Sequence, residues 1–266
     1  MPNWERFGHT WDQLGRKNAL GAILTVDGKV ADWNIGELLA TGRIDVGRFM
    51  PDLERLSPST PRTRLLDFGC GVGRVTRVFS QYFDQVVGVD VAPSMIARAR
   101  EVNADSPACT FVLNRSATLD QLADGSFDVV YCRLVLQHIR PAIVRGYIRE
   151  FVRLAAPGGV IMFQLPEVVG IDSRQVFIDA PVAGSAFKQR LPRWLIEAWR
   201  RLKYRVLVGT SAQIEMFGMA RPEVEALIQD AGGRLLTATP DRSHGEAGSG
   251  WEYWVTRGFH EAARAE

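Results

Sequence analysis

The most constraining feature of the chain is a glycine-rich turn that follows a short apolar stretch. Residues 65–73 read Leu-Leu-Asp-Phe-Gly-Cys-Gly-Val-Gly, and a helical pattern begins at Val75. Glycine allows a sharp backbone turn and leaves room for a ligand against the main chain. A second apolar stretch, residues 86–89, ends in Asp90, whose carboxylate can accept hydrogen bonds from both hydroxyls of a ribose. We therefore expect a nucleoside pocket between two neighbouring strands.

Apolar and amphipathic stretches alternate beyond this turn. Near-continuous apolar strands, such as residues 127–131, are typical of a parallel sheet covered on both faces. Strands joined by helical crossovers give a doubly wound α/β fold. Strands are expected at residues 64–68, 85–90, 109–114, 127–132, 158–165, 234–239 and 251–255, the last of them antiparallel. Helices are expected at residues 73–83, 93–104, 118–123, 140–156 and 221–231.

The 266 residues divide into four expected segments. Residues 1–60 form an N-terminal helical flap: a helical turn plus loops over 1–33, then a helix that begins at a capping box of Asn34 and Glu37 and bends at Gly42. The other segments are a cofactor-binding core at 61–169, an inserted substrate lid at 170–217 and a completion of the core sheet at 218–266. The lid is expected to contain a basic amphipathic helix at 193–204 and a strand at 214–217.

Composition argues against several classes of protein. The net charge is only +2, so no global field indicates a nucleic-acid partner. Cys70, Cys109 and Cys132 are too few and too scattered for a disulfide framework or a zinc site, and we expect small buried hydrophobes in a reducing compartment. The N-terminus lacks a secretory signal pattern, and the longest apolar stretch, near residues 160–165, is too short for a membrane span. We therefore expect a cytoplasmic enzyme.

Four motifs in order resemble those of class I S-adenosylmethionine-dependent methyltransferases of the small-molecule type. They are residues 65–73, 87–90 with 93–95, 126–130 with 136–139, and 150–154 with 157–159. The match runs from about residue 60 to 165 and returns more weakly at 221–257. The resemblance implies a Rossmann-like, mostly parallel seven-stranded sheet with an antiparallel last strand, a helical N-terminal segment and a small inserted lid. It also implies S-adenosyl-L-methionine as the cofactor and S-adenosyl-L-homocysteine as its product.

A nicotinamide-binding Rossmann domain also uses glycines and an acidic residue after the second strand. In that pattern the third glycine comes three residues after the second, whereas Gly73 comes two residues after Gly71 and Arg74 stands in the next position. Asp67 before the glycines suits a cofactor with an amino group, as methionine has. The methyl-donor interpretation is therefore favoured over the dinucleotide one.

The resemblance implies cofactor contacts at the glycine turn and at the ends of the next three strands. Asp90 binds the ribose hydroxyls, with Val91 and Met95 against the adenine, although Met95 is equally consistent with core packing. The family often has an acidic residue after the third strand, where Asn114 or the Ser116 backbone has to substitute. The implied cofactor-binding residues are Asp67, Phe68, Gly69, Cys70, Gly71, Gly73, Asp90, Val91, Met95, Asn114, Arg115, Ser116, Cys132 and Arg133.

A hydroxyl acceptor usually needs a proton acceptor that is poised near neutral pH. His138 follows the fourth strand, at the edge where α/β sheets bind ligands, and is the candidate catalytic base. The alternative is that its side chain packs at the start of the next helix. His9 and Trp11 belong either to a flap over the cofactor or to the packed body. The ends of the fourth and fifth strands lack paired Asp and Asn, so magnesium-dependent chemistry is disfavoured and no metal ligand is assigned.

The acceptor class is the least determined feature. We favour a small molecule, such as a secondary metabolite, a glycan or a lipid-linked substrate, with oxygen as the methylated atom. The basic stretch at 188–205 has three uses: a solvated helix face, a contact with an anionic membrane, or attraction of an acidic glycan or phosphorylated metabolite. Two alternatives stay open: an RNA methyltransferase that binds through Arg200, Arg201 and Lys203, and a regulatory S-adenosylmethionine-binding protein.

Overall fold

The computed structural model describes residues 3–23, 34–168, 175–176, 214–241 and 249–258. The predicted basic helix at 193–204 and the whole basic stretch at 188–205 lie outside the described residues. None of the helices in the described ranges combines the length and the apolar character needed to span a bilayer.

Five parallel strands form the centre of the molecule. They are β1 (Arg64–Phe68), β2 (Gln85–Asp90), β3 (Cys109–Leu113), β4 (Phe127–Cys132) and β5 (Ala155–Val168). A short antiparallel pair follows, β6 (Gln175–Val176) and β7 (Ile214–Glu215). The last two strands are β8 (Gly233–Asp241) and β9 (Ser249–Arg257).

The strand order is β3-β2-β1-β4-β5-β9-β8, with β9 antiparallel to both of its neighbours. The predicted doubly wound, Rossmann-like, mostly parallel seven-stranded sheet with an antiparallel last strand is therefore confirmed. The order reverses between β1 and β4, and ligands bind in such folds at the carboxyl ends of the strands beside this switch point.

Helices flank the sheet. They are α1 (Asn3–Ile23), α2 (Ile35–Leu56), α3 (Arg74–Phe79), α4 (Pro93–Val102), α5 (Pro141–Leu154) and α6 (Arg221–Asp230). Side chains of α5 and α6 share one buried cluster with β1, β4, β5 and β9, and side chains of α2 and α3 share the cluster on the other face. Phe49 of α2 stacks on Trp254 of β9, with ring centroids 5.0 Å apart. Both faces are covered, which explains why the strands are apolar along nearly their whole length.

The N-terminal segment differs from the prediction in part. The Asn34 side chain accepts a hydrogen bond from the Glu37 backbone N–H, and the Glu37 carboxylate accepts one in return, so the predicted capping box is confirmed. The helical turn plus loops predicted for residues 1–33 is wrong in the described part, where α1 spans 21 residues with one non-helical residue at Asn18. Helix α2 continues through Gly42, where a Cβ would collide with the carbonyl oxygen of Arg74, so this glycine serves close packing on α3.

The helix predicted at 118–123 is also wrong, because these residues form turns. The Thr118 carbonyl accepts a hydrogen bond from the Asn114 amide at 3.1 Å, and the Thr118 hydroxyl donates to Asp120 at 2.6 Å. Such local side-chain bonds compete with a helix for the polar groups of the segment. Cys70 and Cys132 are buried and Cys109 is half-buried, all three as free thiols.

Candidate functional site

A cavity of about 930 Å³, its open mouth included, lies at the carboxyl ends of β1, β2 and β4. Its walls come from the glycine turn, the end of β2, the segment after β4 and the N-terminal helix α1. The sequence-predicted residues that line it are Asp67, Phe68, Gly69, Cys70, Gly71, Asp90, Val91, Met95, Asn114, Arg133 and His138. A concave site with apolar and aromatic walls and a few polar groups is typical of sites that bind small organic ligands.

The glycine turn is held against the end of β2 by backbone hydrogen bonds. The N–H groups of Gly69 and Cys70 both donate to the carbonyl of Val89, at 2.7 and 3.0 Å. Gly69 has a φ of 78°, and a Cβ there would collide with the side chain of Val135. Glycine is required at this position by the left-handed backbone and by the close approach of the segment after β4.

Asp90 ends β2 at the cavity wall. One carboxylate oxygen accepts the Gly71 N–H at 3.0 Å, and the other accepts the Ala92 N–H at 2.9 Å. Burial raises the pKa of Asp90, while the hydrogen bonds from Ala92 and Gly71 act in the opposite direction. Each carboxylate oxygen carries two lone pairs, so both can accept a further hydrogen bond from a ligand hydroxyl.

Asp67 lies deeper, at the end of β1, and only 4% of its surface is exposed. Its carboxylate accepts a hydrogen bond from the Thr76 hydroxyl at 2.6 Å. Burial raises the pKa of Asp67 to about 6, against the lowering effects of the Thr76 hydrogen bond and the Arg74 charge. A further positive charge beside this buried carboxyl would therefore favour its ionised form.

A charged cluster that the sequence analysis missed lies beside Asp67. The Asp45 carboxylate of α2 contacts the Arg74 guanidinium at 2.6 Å through one oxygen and the Arg133 guanidinium at 2.9 Å through the other. All three side chains are less than one-fifth exposed, and both arginines line the cavity. Two cations share one carboxylate, so the cluster of these three side chains carries one positive charge beside the carboxyl of Asp67.

Asn114 follows β3 at the opposite end of the cavity. Its amide N–H groups donate to the carbonyls of Ser116 and Thr118 and to the hydroxyl of Tyr147, at 3.0, 3.1 and 3.3 Å. The Tyr147 hydroxyl donates in turn to the Ser116 carbonyl at 2.8 Å, and its ring lines the cavity. Arg115 and Ser116 are exposed and are not among the lining residues.

Three other predicted residues lie close to the cavity in different roles. Gly73, with a φ of 80°, precedes α3, where a Cβ would press on Asn103 and Phe111. Cys132, the last residue of β4, is fully buried in the core and is not among the lining residues. Met95 both lines the cavity and packs in a cluster with Trp11, which fits both interpretations of this residue.

Helix α1 forms a wall of the cavity through Phe7 and Trp11. Its Asp12 carboxylate accepts the Ser94 backbone N–H at 2.9 Å, and the Ser94 hydroxyl donates to the Asp12 carbonyl at 3.1 Å. Helix α4 has no side-chain cap from its own N-cap residue, so Asp12 supplies that bond from α1. Glycines at positions 8 and 15 let the two segments approach closely, since a Cβ at Gly15 would collide with Ser94.

His138 ends a short 3-10 turn, Leu136–His138, and lines the cavity. Its ring packs edge-on against Trp11, with centroids 5.3 Å apart, and the Gln137 amide lies 3.1 Å from its Nε2 atom. His9 is exposed and hydrogen-bonds to Gln13 on the same helix. Across the described ranges, no group of three or more His, Cys, Asp or Glu side chains could hold a metal ion.

Comparison of the sequence with known proteins agrees with a nucleoside-binding cavity at the glycine turn. Residues 66–163 match a family model described as a methyltransferase domain. The chain is 26% identical over 201 residues to the 2-methyl-6-phytyl-1,4-hydroquinone methyltransferase of Synechocystis sp., covering 74% of this chain and 59% of that protein. It is 33% identical over 104 residues to a ubiquinone biosynthesis O-methyltransferase of Xanthomonas campestris, covering 38% of this chain and 42% of that protein. The chain thus spans about half the length of these relatives.

The fold is similar to that of the magnesium protoporphyrin IX methyltransferase of Synechocystis, solved with bound S-adenosylhomocysteine. The TM-score is 0.58 at 16% identity, over 94% of this chain and 97% of that one. The sheet order and the glycine turn beside an acidic strand end define a Rossmann-like nucleoside-binding domain. Residues 66–163 thus match a methyltransferase domain, and the relatives and the shared fold support a class I S-adenosylmethionine-dependent methyltransferase.

Proposed function

We propose that the protein transfers a methyl group from S-adenosylmethionine to a small-molecule acceptor, with oxygen as the methylated atom. The observation that carries the proposal is the single cavity that the glycine turn, Asp90 and His138 line together. The match of residues 66–163 to a methyltransferase domain and the names of the relatives support the same chemistry.

The residues present fit the cofactor. The carboxylate of Asp90 suits the ribose hydroxyls, and the half-buried Val91 and the side chain of Met95 suit the adenine. Asp67 suits the amino group of the methionine part, and the cationic pair of Arg74 and Arg133 suits its carboxylate. A carboxyl and two guanidinium groups that line one cavity match the two charged groups of an α-amino acid.

The bound cofactor supplies an activated methyl group, so the protein contributes alignment, exclusion of water and, for a hydroxyl acceptor, a base. His138 lies on the cavity wall beside Trp11 and is our candidate for accepting the proton of an acceptor hydroxyl. Phe7 and Trp11 cover the cavity from α1 and exclude water from its interior.

The name of one relative, an O-methyltransferase of ubiquinone biosynthesis, supports oxygen as the methylated atom. The name of the other, a hydroquinone methyltransferase, supports a small-molecule acceptor. The proposed location is the cytoplasm. Contact with an anionic membrane or an acidic glycan through residues 188–205 belongs to the same proposal, as a route for bringing such acceptors to the cavity.

Neutralising Arg200, Arg201 and Lys203 tests the RNA alternative, which requires salt-dependent RNA binding.

Calorimetry with S-adenosylhomocysteine tests the cofactor part. We expect binding by the parent protein and an affinity about ten- to a hundredfold lower for Asp90→Ala, since charge-assisted hydrogen bonds are lost. Asp105→Ala, which removes an exposed carboxylate paired with Arg77, is the matched control and should bind as the parent does.

Radiolabelled methyl transfer to a panel of phenols, hydroquinones, carboxylic acids and amines tests the reaction. Label recovered in a methyl ether or a methyl ester supports the oxygen acceptor, whereas label found only on an amine nitrogen or on a ring carbon would replace it. Tight binding of S-adenosylhomocysteine without turnover on any panel member would favour the regulatory alternative.

A further inference from the structure

The segment after β4 contains an unusual backbone conformation. Leu134 has a φ of 61°, and in the described ranges it is the non-glycine residue with a positive φ. Left-handed backbone brings the Cβ of an L-residue too close to its own carbonyl oxygen, so a branched side chain adopts it only where the surroundings hold it. Leu134 also lines the cavity, which places this strained residue at the candidate site.

The side chain of Gln164 holds this conformation. Gln164 lies in β5 one residue after Phe163, the partner of Cys132 at the end of β4. Its side chain is fully buried, and its amide oxygen accepts the Leu134 backbone N–H at 3.1 Å. A buried N–H without a partner is costly, so this bond favours the left-handed turn over backbone conformations that point the N–H elsewhere.

The turn at Leu134 determines how its neighbours face the cavity. On one side, Arg133 reaches the Asp45 carboxylate at 2.9 Å. On the other, Val135 packs directly over Gly69 of the glycine turn, and its carbonyl accepts the His138 N–H at 3.0 Å. The backbone conformation of Leu134 thus sets the direction of the Arg133 side chain, the packing of Val135 on the glycine turn and the position of the turn that ends at His138.

We infer that Gln164 is a positioning residue: by accepting the Leu134 N–H it holds the left-handed turn that brings Arg133, Val135 and His138 to the cavity. Gln164 touches neither cofactor nor acceptor in this role, and acts through the backbone of Leu134. The inference rests on the proposed function, because it assigns Gln164 to the binding of the same cofactor.

Gln164→Met keeps the length of the side chain and removes the acceptor, so Leu134 relaxes to a negative φ. We expect the calorimetric affinity for S-adenosylhomocysteine to fall about tenfold. The double variant Gln164→Met with Leu134→Gly should return to within about threefold of the Leu134→Gly single variant, because glycine adopts a positive φ without the hydrogen bond.

Thr256→Val is the matched control. Thr256 is buried in β9, and its hydroxyl donates to the Gly159 carbonyl at 3.0 Å, outside the cavity lining. This variant should lower the melting temperature as Gln164→Met does, with an unchanged affinity for S-adenosylhomocysteine. Equal losses of affinity in the two variants, an unchanged affinity in Gln164→Met, or no restoration by glycine would each overturn the inference.

Amide hydrogen exchange separates this inference from the proposed function. If the parent retains no S-adenosylhomocysteine, the proposed function fails, and the exchange rate of the Leu134 N–H then decides on Gln164. Faster exchange of that amide in Gln164→Met supports the role of Gln164 in holding the turn, whereas an unchanged rate contradicts it.

Discussion

The indole ring of Trp11 packs edge-on against the imidazole of His138, with the two planes at 63°. These residues lie 127 positions apart in the sequence, one on the N-terminal helix α1 and one after β4. Both line the same cavity, so the N-terminal helix fixes the orientation of the candidate base as well as closing the space around it.

The first prediction concerns His138. His138→Ala should lower kcat by about a hundredfold for a hydroxyl acceptor, because the proton has no positioned acceptor, while the affinity for S-adenosylhomocysteine stays nearly unchanged. Steady-state kinetics on the acceptor found by the panel measures this effect. His9→Ala removes an exposed imidazole from α1 and should leave kcat intact. Identical pH–rate profiles for parent and His138→Ala would dismiss the base.

The second prediction follows from the raised pKa of Asp67. Below about pH 6 the unliganded protein holds a proton on this carboxyl, and a cationic amino group binds best to the ionised form. The affinity for S-adenosylhomocysteine should therefore rise as the pH increases through 6, and be roughly tenfold weaker at pH 5 than at pH 7. Titration calorimetry across this range measures it.

Asp67→Asn is the control for that pH dependence, because an amide does not titrate. Its affinity should be lower than that of the parent at pH 7 and should change much less between pH 5 and pH 7. A slope in Asp67→Asn equal to that of the parent would assign the titration to another group, with Asp90 the first to test.

The third prediction concerns the contact between α1 and α4. Asp12→Ala removes the hydrogen bond to the Ser94 N–H, a helix-capping bond of about 1 kcal/mol. The dissociation rate of S-adenosylhomocysteine should rise roughly fivefold, as stopped-flow tryptophan fluorescence can measure. Arg16→Ala breaks only the exposed ion pair of Asp12 and should leave the rate unchanged. Equal rates in Asp12→Ala and the parent would mean that α1 does not retain the ligand.

The fourth prediction concerns Asp45. Asp45→Ala leaves the guanidinium groups of Arg74 and Arg133 without their shared carboxylate, and should cost about 3 kcal/mol in the free energy of unfolding. Urea denaturation measures this loss. Asp52→Ala, on the same helix, removes a carboxylate from an exposed pair with Arg55 and should cost far less. Losses of the same size in both variants would contradict a structural role for the buried cluster.

Local patterns in the sequence were sufficient to predict the sheet and the part of the site that the glycine turn and Asp90 form. The apolar strands, the glycine turn and Asp90 are contiguous signals, and the structure places the latter two at one cavity. Asp45 could not be assigned in this way, because its partner Arg133 lies 88 residues away and the packing of α2 on the sheet brings them together. The hydrogen bond between Gln164 and Leu134 could not be predicted either, because nothing in the Leu-Val-Leu run at 134–136 indicates a positive φ.

The segments that differed from prediction share a physical cause. Helix α1 contacts α4 through glycines and one aspartate as well as through apolar side chains, and residues of the first two types do not indicate a helix in the sequence. Residues 118–123 have apolar spacing suited to a helix, but Asn114 and Asp120 satisfy their polar groups in turns. In both segments, distant or local polar contacts determine the structure more than the spacing of apolar residues does.

The position of β9 inside the sheet has a consequence for biosynthesis. A chain emerging from the ribosome forms β1 to β5 early, yet the outer edge of β5 stays open until residues 249–257 have been translated. An open apolar edge invites pairing with other nascent chains. Folding of this sheet is therefore completed only after translation of residues 249–257, and the time between the synthesis of β5 and that of β9 is the period in which the domain most needs protection by chaperones.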